Sequence, residues 1–95
     1  MASLQGKKAF KKVVFFEFPR KGMWTIALVT AETVNTGDGR KFYSIFIPTT
    51  PNPTAGFVYF VPVEDCIDAP MGVDEGFKLI ISTGIVSPPE MRISK

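Results

Sequence analysis

Histidine is absent from these 95 residues, and cysteine occurs once, as Cys66. The first absence removes the commonest metal ligand and the side chain best suited to proton transfer near neutral pH, so Ser-His, Cys-His and His-metal mechanisms are unavailable within the chain. The second excludes an intrachain disulfide framework, a CxxC pair and a zinc cluster, and mildly favours a reducing compartment. Long apolar runs are missing too. None approaches the roughly 18–20 residues that span a bilayer, and no stretch has the charged start and apolar centre of a signal peptide. Tryptophan occurs once and tyrosine twice, against nine phenylalanines. Most of the rings therefore lack a polar handle and need apolar cover.

What is present argues for one packed domain. Hydrophobic residues make up 45% of the chain and aromatics 13%, too many for a disordered segment. The net charge of +2 is unevenly placed: residues 1–41 carry eight basic groups against three acidic, and residues 42–95 three basic against six acidic. That asymmetry points to an oriented surface rather than a general polyanion binder.

The chain is organised around Pro48-Thr49-Thr50-Pro51-Asn52-Pro53-Thr54-Ala55-Gly56, which sets three prolines and three threonines between two of its most apolar runs. Proline fixes φ, withholds an amide donor and pushes its predecessor out of the helical region, so the stretch is a stiff loop. Stiffness suits a pre-shaped recognition surface, because little conformational entropy is left to lose on binding. Pro48, Thr49, Thr50, Pro51, Asn52, Pro53, Thr54 and Gly56 are the candidate binding residues. The alternative is a structural crossover whose threonines satisfy backbone groups locally.

On either side, β-branched and aromatic alternation predicts strands over residues 13–18, 23–32, 41–47 and 57–62, with an acidic edge strand within 63–68. In the first strand Val14, Phe16 and Phe18 share one face and Val13, Phe15 and Glu17 the other, so both faces need cover. Pro19-Arg20-Lys21-Gly22 and the Asp38-Gly39 pair mark turns. Gly37, Asp38 and Gly39 do not make a phosphate cradle, because no helix starts after them. Val73, Phe77, Ile80 and Ile81 recur at helical spacing, with Asp74 and Glu75 in the first turn, Gly72 as N-cap and Gly84 as stop. Gly76 weakens that helix by about 1 kcal/mol. Ile85-Val86 reads as a last short strand. The expected fold is α+β, mainly β: a small antiparallel curled or barrel-like sheet with one amphipathic helix packed near the C-terminus. Residues 1–12 form a basic leader, 13–89 the domain and 90–95 a mobile tail.

In order along the chain, Phe10-x-x-Val13-Val14, Pro19-Arg20-Lys21-Gly22-Met23-Trp24, the proline-threonine-asparagine loop ending in Gly56, Val61-Pro62 and Ile80-Ile81-Ser82-x-Gly84 resemble an uncharacterised membrane-protein family. This is the DUF502 family, with bacterial members and the plant Continuous Vascular Ring (COV) and LIKE-COV proteins. The resemblance runs from about Phe10 to Pro89. It implies two membrane spans ahead of the region seen here, a membrane-associated full-length protein, and a domain on the cytoplasmic side. It also implies that Lys7, Lys8, Lys11 and Lys12 lie near the bilayer, where each lysine beside an anionic leaflet is worth about 1 kcal/mol. The family's loop usually ends Thr-Ser-Gly where this chain has Thr54-Ala55-Gly56. The resemblance carries over no activity.

Three functional readings follow. The first is a binding, scaffolding or assembly module working through the rigid loop, with a protein partner or a second copy of the chain, and without cofactor or metal. The second is a small hydrolase-like enzyme using Thr49, Thr50 or Cys66 as nucleophile with Lys21 or Asp65 as base. It is disfavoured because Glu64, Asp65 and Asp68 oppose ionisation of the Cys66 thiol. The third is a single-stranded nucleic-acid barrel, for which the positive charge is too small and too local, so no nucleic acid is expected as partner.

Overall fold

The alternating runs fold into an antiparallel meander. In the computed structural model, which describes residues 10–52 and 54–93, β1 (Lys12–Glu17) pairs with β2 (Trp24–Val34), β2 with β3 (Lys41–Pro48), and β3 with β4 (Gly56–Pro62). A 3-10 turn (Val63–Asp65) then leads to the two-residue β5 (Ile67–Asp68), which pairs with the far side of β1. The acidic stretch expected as a strand is thus mostly turn. The strand order is β4-β3-β2-β1-β5, so β4 and β5, neighbours in sequence, stand at opposite edges.

That connection forces the sheet to curl. Flat, five strands at about 4.8 Å spacing would hold their edges roughly 19 Å apart. The short link between β4 and β5, most of it wound at about 2 Å per residue, reaches only about 13 Å. Phe18, just past β1, and Tyr59 on β4 accordingly meet edge to face, with ring centroids 5.3 Å apart. The sheet curls without closing.

Both faces of β1 are buried, as its unbroken apolar run requires. Val14 and Phe16 enter an inner layer with Ala27, Val29 and Ile45, completed by Tyr59 and Val61 of β4 and by Cys66. Val13 and Phe15 enter an outer layer with Leu28, Ile67 and Ala69. The helix α1 (Val73–Ile81) packs on this outer layer through Val73 and Phe77. Gly76 and Ile80 are its buried residues. A Cβ on Gly76 would stand 3.0 Å from Val13 Cγ2, so the glycine lets the helix lie close on β1. The Gly72 N–H donates to the Glu75 carboxylate (2.8 Å), and the Gly84 N–H donates to the Leu79 carbonyl (2.8 Å), closing the two helix ends near where the spacing predicts.

Several local expectations change. Ile81 is exposed rather than buried, because the helix rests on the outer layer along Val73, Gly76, Phe77 and Ile80 instead. Ile85-Val86 forms no strand: the Ile85 N–H donates to the Ser82 carbonyl and the Val86 N–H to Ser82 Oγ, which holds both in a turn with their side chains in solvent. β2 runs on to Val34 after a register shift between Val29 and Ala31, where Thr30 Oγ1 donates to the Ser44 carbonyl (3.0 Å). At the termini, Phe10 packs on Phe46 and Phe77 with centroids 6.1 and 5.6 Å away, and Met91 and Ile93 lie against the outer layer. No helix among the described residues is long and apolar enough to cross a membrane.

Candidate functional site

The proline loop joins adjacent strands at the tip of the β3–β4 hairpin, whose register is unbroken from Phe42↔Pro62 to Pro48↔Gly56. Its polar groups are turned on the loop itself. The Thr49 N–H donates to the Ala55 carbonyl (2.8 Å), and Thr49 Oγ1 donates to the Ala55 and Asn52 carbonyls (3.1 and 3.4 Å). Asn52 Oδ1 accepts from the Thr54 N–H (3.0 Å) and from Thr54 Oγ1 (2.6 Å). Thr49, Asn52 and Thr54 therefore spend hydrogen-bonding groups on closing the turn. The Thr50–Pro51 peptide bond is cis. Pro53 lies outside the described residues.

Gly56 anchors the loop to β4. A Cβ there would overlap the Ile47 carbonyl oxygen and come within 2.8 Å of Pro48 Cα, so backbone approach alone demands glycine.

The basic stretch enters β1 from the end away from the β1–β2 turn. Lys12 Nζ forms an ion pair with Asp68 (2.9 Å) and sits 5.0 Å from the centre of the Tyr43 ring. Tyr43 first, then Asp68, raises its pKa above the ordinary 10.5. Lys11 is exposed while its N–H donates to the Val29 carbonyl. Lys7 and Lys8 lie outside the described residues.

Of the candidate nucleophile–base pairs only Cys66 and Asp65 are neighbours, being consecutive in the chain. Thr49 and Thr50 are in the loop, Lys21 in the β1–β2 turn, Cys66 against the inner layer and Asp65 in the 3-10 turn. Among the described residues no group of three His, Cys, Asp or Glu is placed to hold a metal.

Two features take their place only in the fold. One is an open groove of about 700 Å³ where the sheet fails to close, lined by Phe16, Phe18, Trp24, Tyr59 and Val61 with Glu17, Glu64 and Asp65. Glu64 is paired with Arg40 of the β2–β3 turn, and Glu17 accepts from the Gly22 N–H (2.9 Å). The other is β4 itself. Helix α1 covers the β1 side of the outer face and leaves Val58 and Phe60 bare, at 61% and 62% exposure; Phe57, at the parity of Tyr59 and Val61 on the other face, is 58% exposed. The signal was present in Gly56–Pro62, which has apolar residues at both parities and no charge. Which face would stay uncovered depended on where the helix lands.

A family model described as "Protein of unknown function (DUF502)" matches residues 1–55. Protein LIKE COV 2 of Arabidopsis thaliana is 30% identical over 86 residues, covering 88% of this chain and 33% of that protein. Protein LIKE COV 3 of the same plant is 26% identical over 86 residues, covering 88% of this chain and 31% of that protein. The chain thus spans about a third of the length of the curated relatives it matches. No solved structure matches it.

Proposed function

The chain belongs to the DUF502 family of proteins of unknown function, and on that premise we propose that it is an extramembrane domain of a larger membrane-associated protein, acting as an assembly module. The membrane half rests on the family resemblance, with its two implied spans. The single observation that carries the assembly half is the bare outer side of β4, since Val58 and Phe60, left this exposed on a strand that already has its partner, want a further surface to cover them.

The Pro48–Gly56 loop enters this reading as a brace more than as a hydrogen-bonding contact surface. Three of its polar side chains, Thr49, Asn52 and Thr54, are engaged within the loop. Catalysis has less support, because Thr49 Oγ1 closes the turn and the Cys66 side chain packs against the inner layer. The membrane-surface role remains with Lys7, Lys8, Lys11 and Lys12, of which Lys12 also forms an exposed ion pair with Asp68.

Fractionation of the full-length gene product tests the proposal. It is expected in the membrane pellet after an alkaline carbonate wash. Recovery wholly in the soluble fraction would remove the anchor, and with it this reading.

A further inference from the structure

Resting on the assembly reading, we propose that two copies of the chain join through the free edge of β4, antiparallel about a two-fold axis at Tyr59, into one continuous sheet. The edge is free because the strand order ends at β4 among the described residues. Its hydrogen-bonding groups can be assigned by alternation. The Thr49 N–H donates to the Ala55 carbonyl, so 49 and 55 are a bonded pair. With the register unbroken, bonded pairs recur at Ile47↔Phe57, Ile45↔Tyr59 and Tyr43↔Val61. The N–H and C=O groups of Val58 and Phe60, the N–H of Gly56 and the C=O of Pro62 consequently point away from β3.

That pattern is self-complementary. Turned about Tyr59, Val58 lies opposite the partner's Phe60, and the two exchange both backbone bonds, as Phe60 and the partner's Val58 do. Gly56 lies opposite the partner's Pro62. Pro62 cannot donate and need only accept, and Gly56 has no side chain to collide with its ring. Residues 56–62 carry no charge, so the antiparallel pairing sets no like charges opposite one another. A charged strand would instead place its charges against Phe57 and Phe60.

The chain protects its other edge and leaves this one open. β5 is two residues long and flanked by the Lys12–Asp68 ion pair, both common ways of blocking further pairing. β4 is seven residues long with an unbroken register and no lysine. Phe57, Val58 and Phe60, at 58%, 61% and 62% exposure, leave on the order of 300 Å² of side-chain surface per copy, given roughly 150–250 Å² for an aromatic residue. Even if all of it were covered, two copies would bury about half of the ~1,200 Å² at which specific interfaces begin, before the strand backbone is added, so the pairing is expected to be weak and concentration-dependent.

Sedimentation of the 95-residue chain across micromolar to millimolar concentration, with amide exchange at both ends of that range, tests the pairing. A concentration-dependent dimer is expected, with protection of the Val58 and Phe60 amides rising about tenfold as it forms, while the Phe57 and Tyr59 amides, already bonded to β3, stay unchanged. Phe60→Lys and Val58→Lys, at exposed positions, each weaken the dimer at least about tenfold, and Ile85→Lys, exposed on another part of the surface, leaves it intact. A chain that stays monomeric with concentration-independent exchange at Val58 and Phe60, or a dimer indifferent to both β4 lysines, overturns the proposal. Either result leaves the membrane reading standing, because carbonate fractionation reads that separately.

Discussion

Replacing Gly76 with alanine sets two effects of opposite sign against each other. Alanine gains about 1 kcal/mol of helix propensity over glycine in a helix interior. The new Cβ, however, would stand 3.0 Å from Val13 Cγ2 and 3.7 Å from Cγ1, where carbon atoms settle at about 3.5–4.0 Å. Val13 has nowhere to go. It is 2% exposed, sits in a strand buried on both faces, and as a β-branched residue has little χ1 freedom. Overpacking of this kind costs about 1–3 kcal/mol, so Gly76→Ala is expected to destabilise by about 1 kcal/mol net. For a domain of this size that lowers Tm by about 4–8 °C.

The cause can be isolated by a cycle with Val13→Ala. That substitution alone should cost about 2 kcal/mol through the cavity it leaves. In its background Gly76→Ala fills part of the void and should stabilise by about 1 kcal/mol, a coupling of about 2 kcal/mol between two residues in contact. Urea unfolding followed by fluorescence of Trp24, the single tryptophan, packed against the outer layer, reads all four proteins. If Gly76→Ala stabilises the unaltered chain and its effect does not change with Val13→Ala, then the helix does not rest on β1 through Gly76.

Three further outcomes follow from the packing. Gly56→Ala is expected to destabilise by about 3 kcal/mol by driving a methyl into the Ile47 carbonyl, and a urea midpoint equal to that of the unaltered chain would contradict the close approach. Asn52→Ala removes the acceptor of both Thr54 donors and should cost about 1 kcal/mol with faster amide exchange at Thr54, whereas unchanged exchange would mean the loop does not depend on that turn. The Lys12 pKa is raised, by Tyr43 and then Asp68, so the stability it contributes is complete below the ordinary 10.5 and is lost as pH rises through the higher folded-state value. The difference between the unaltered chain and Lys12→Met, at most about 1 kcal/mol for so exposed a pair, should be flat through neutral pH and vanish in strong alkali; a difference that persists there would place its origin in packing.

What the sequence shows plainly is whatever depends on neighbours in the chain. Val13-Val14-Phe15-Phe16 demands cover on both faces and receives it from two layers. The helix is bounded as Gly72, Gly84 and the spacing of Val73, Phe77 and Ile80 indicate. What stays hidden depends on where distant segments meet. The Thr30 register shift is supported by Ser44, fourteen residues away, and nothing local announces it. Gly76 reads as a helix weakness from propensity alone, and only its approach to Val13 shows why a glycine serves there. Ile85 and Val86 have strand-forming side chains, yet two hydrogen bonds to Ser82 hold them in a turn. At the loop, composition announced rigidity, but whether its threonines face a partner or their own backbone is a matter of geometry.

The loop and the exposed strand constrain one another. A strand with apolar residues at both parities has little to fix its register, because a one-residue slip exchanges one hydrophobic face for another. Gly56–Pro62 is such a strand, so its register has to be set from outside. Gly56 does this sterically: opposite Pro48, against the Ile47 carbonyl, only a residue without a side chain fits, and a slip in either direction would bring Ala55 or Phe57 there. The Thr49–Ala55 and Asn52–Thr54 hydrogen bonds hold the turn at the length that delivers Gly56 to that place. The improbable run of prolines and threonines therefore determines which side of β4 carries Val58 and Phe60, and hence which surface the domain leaves uncovered.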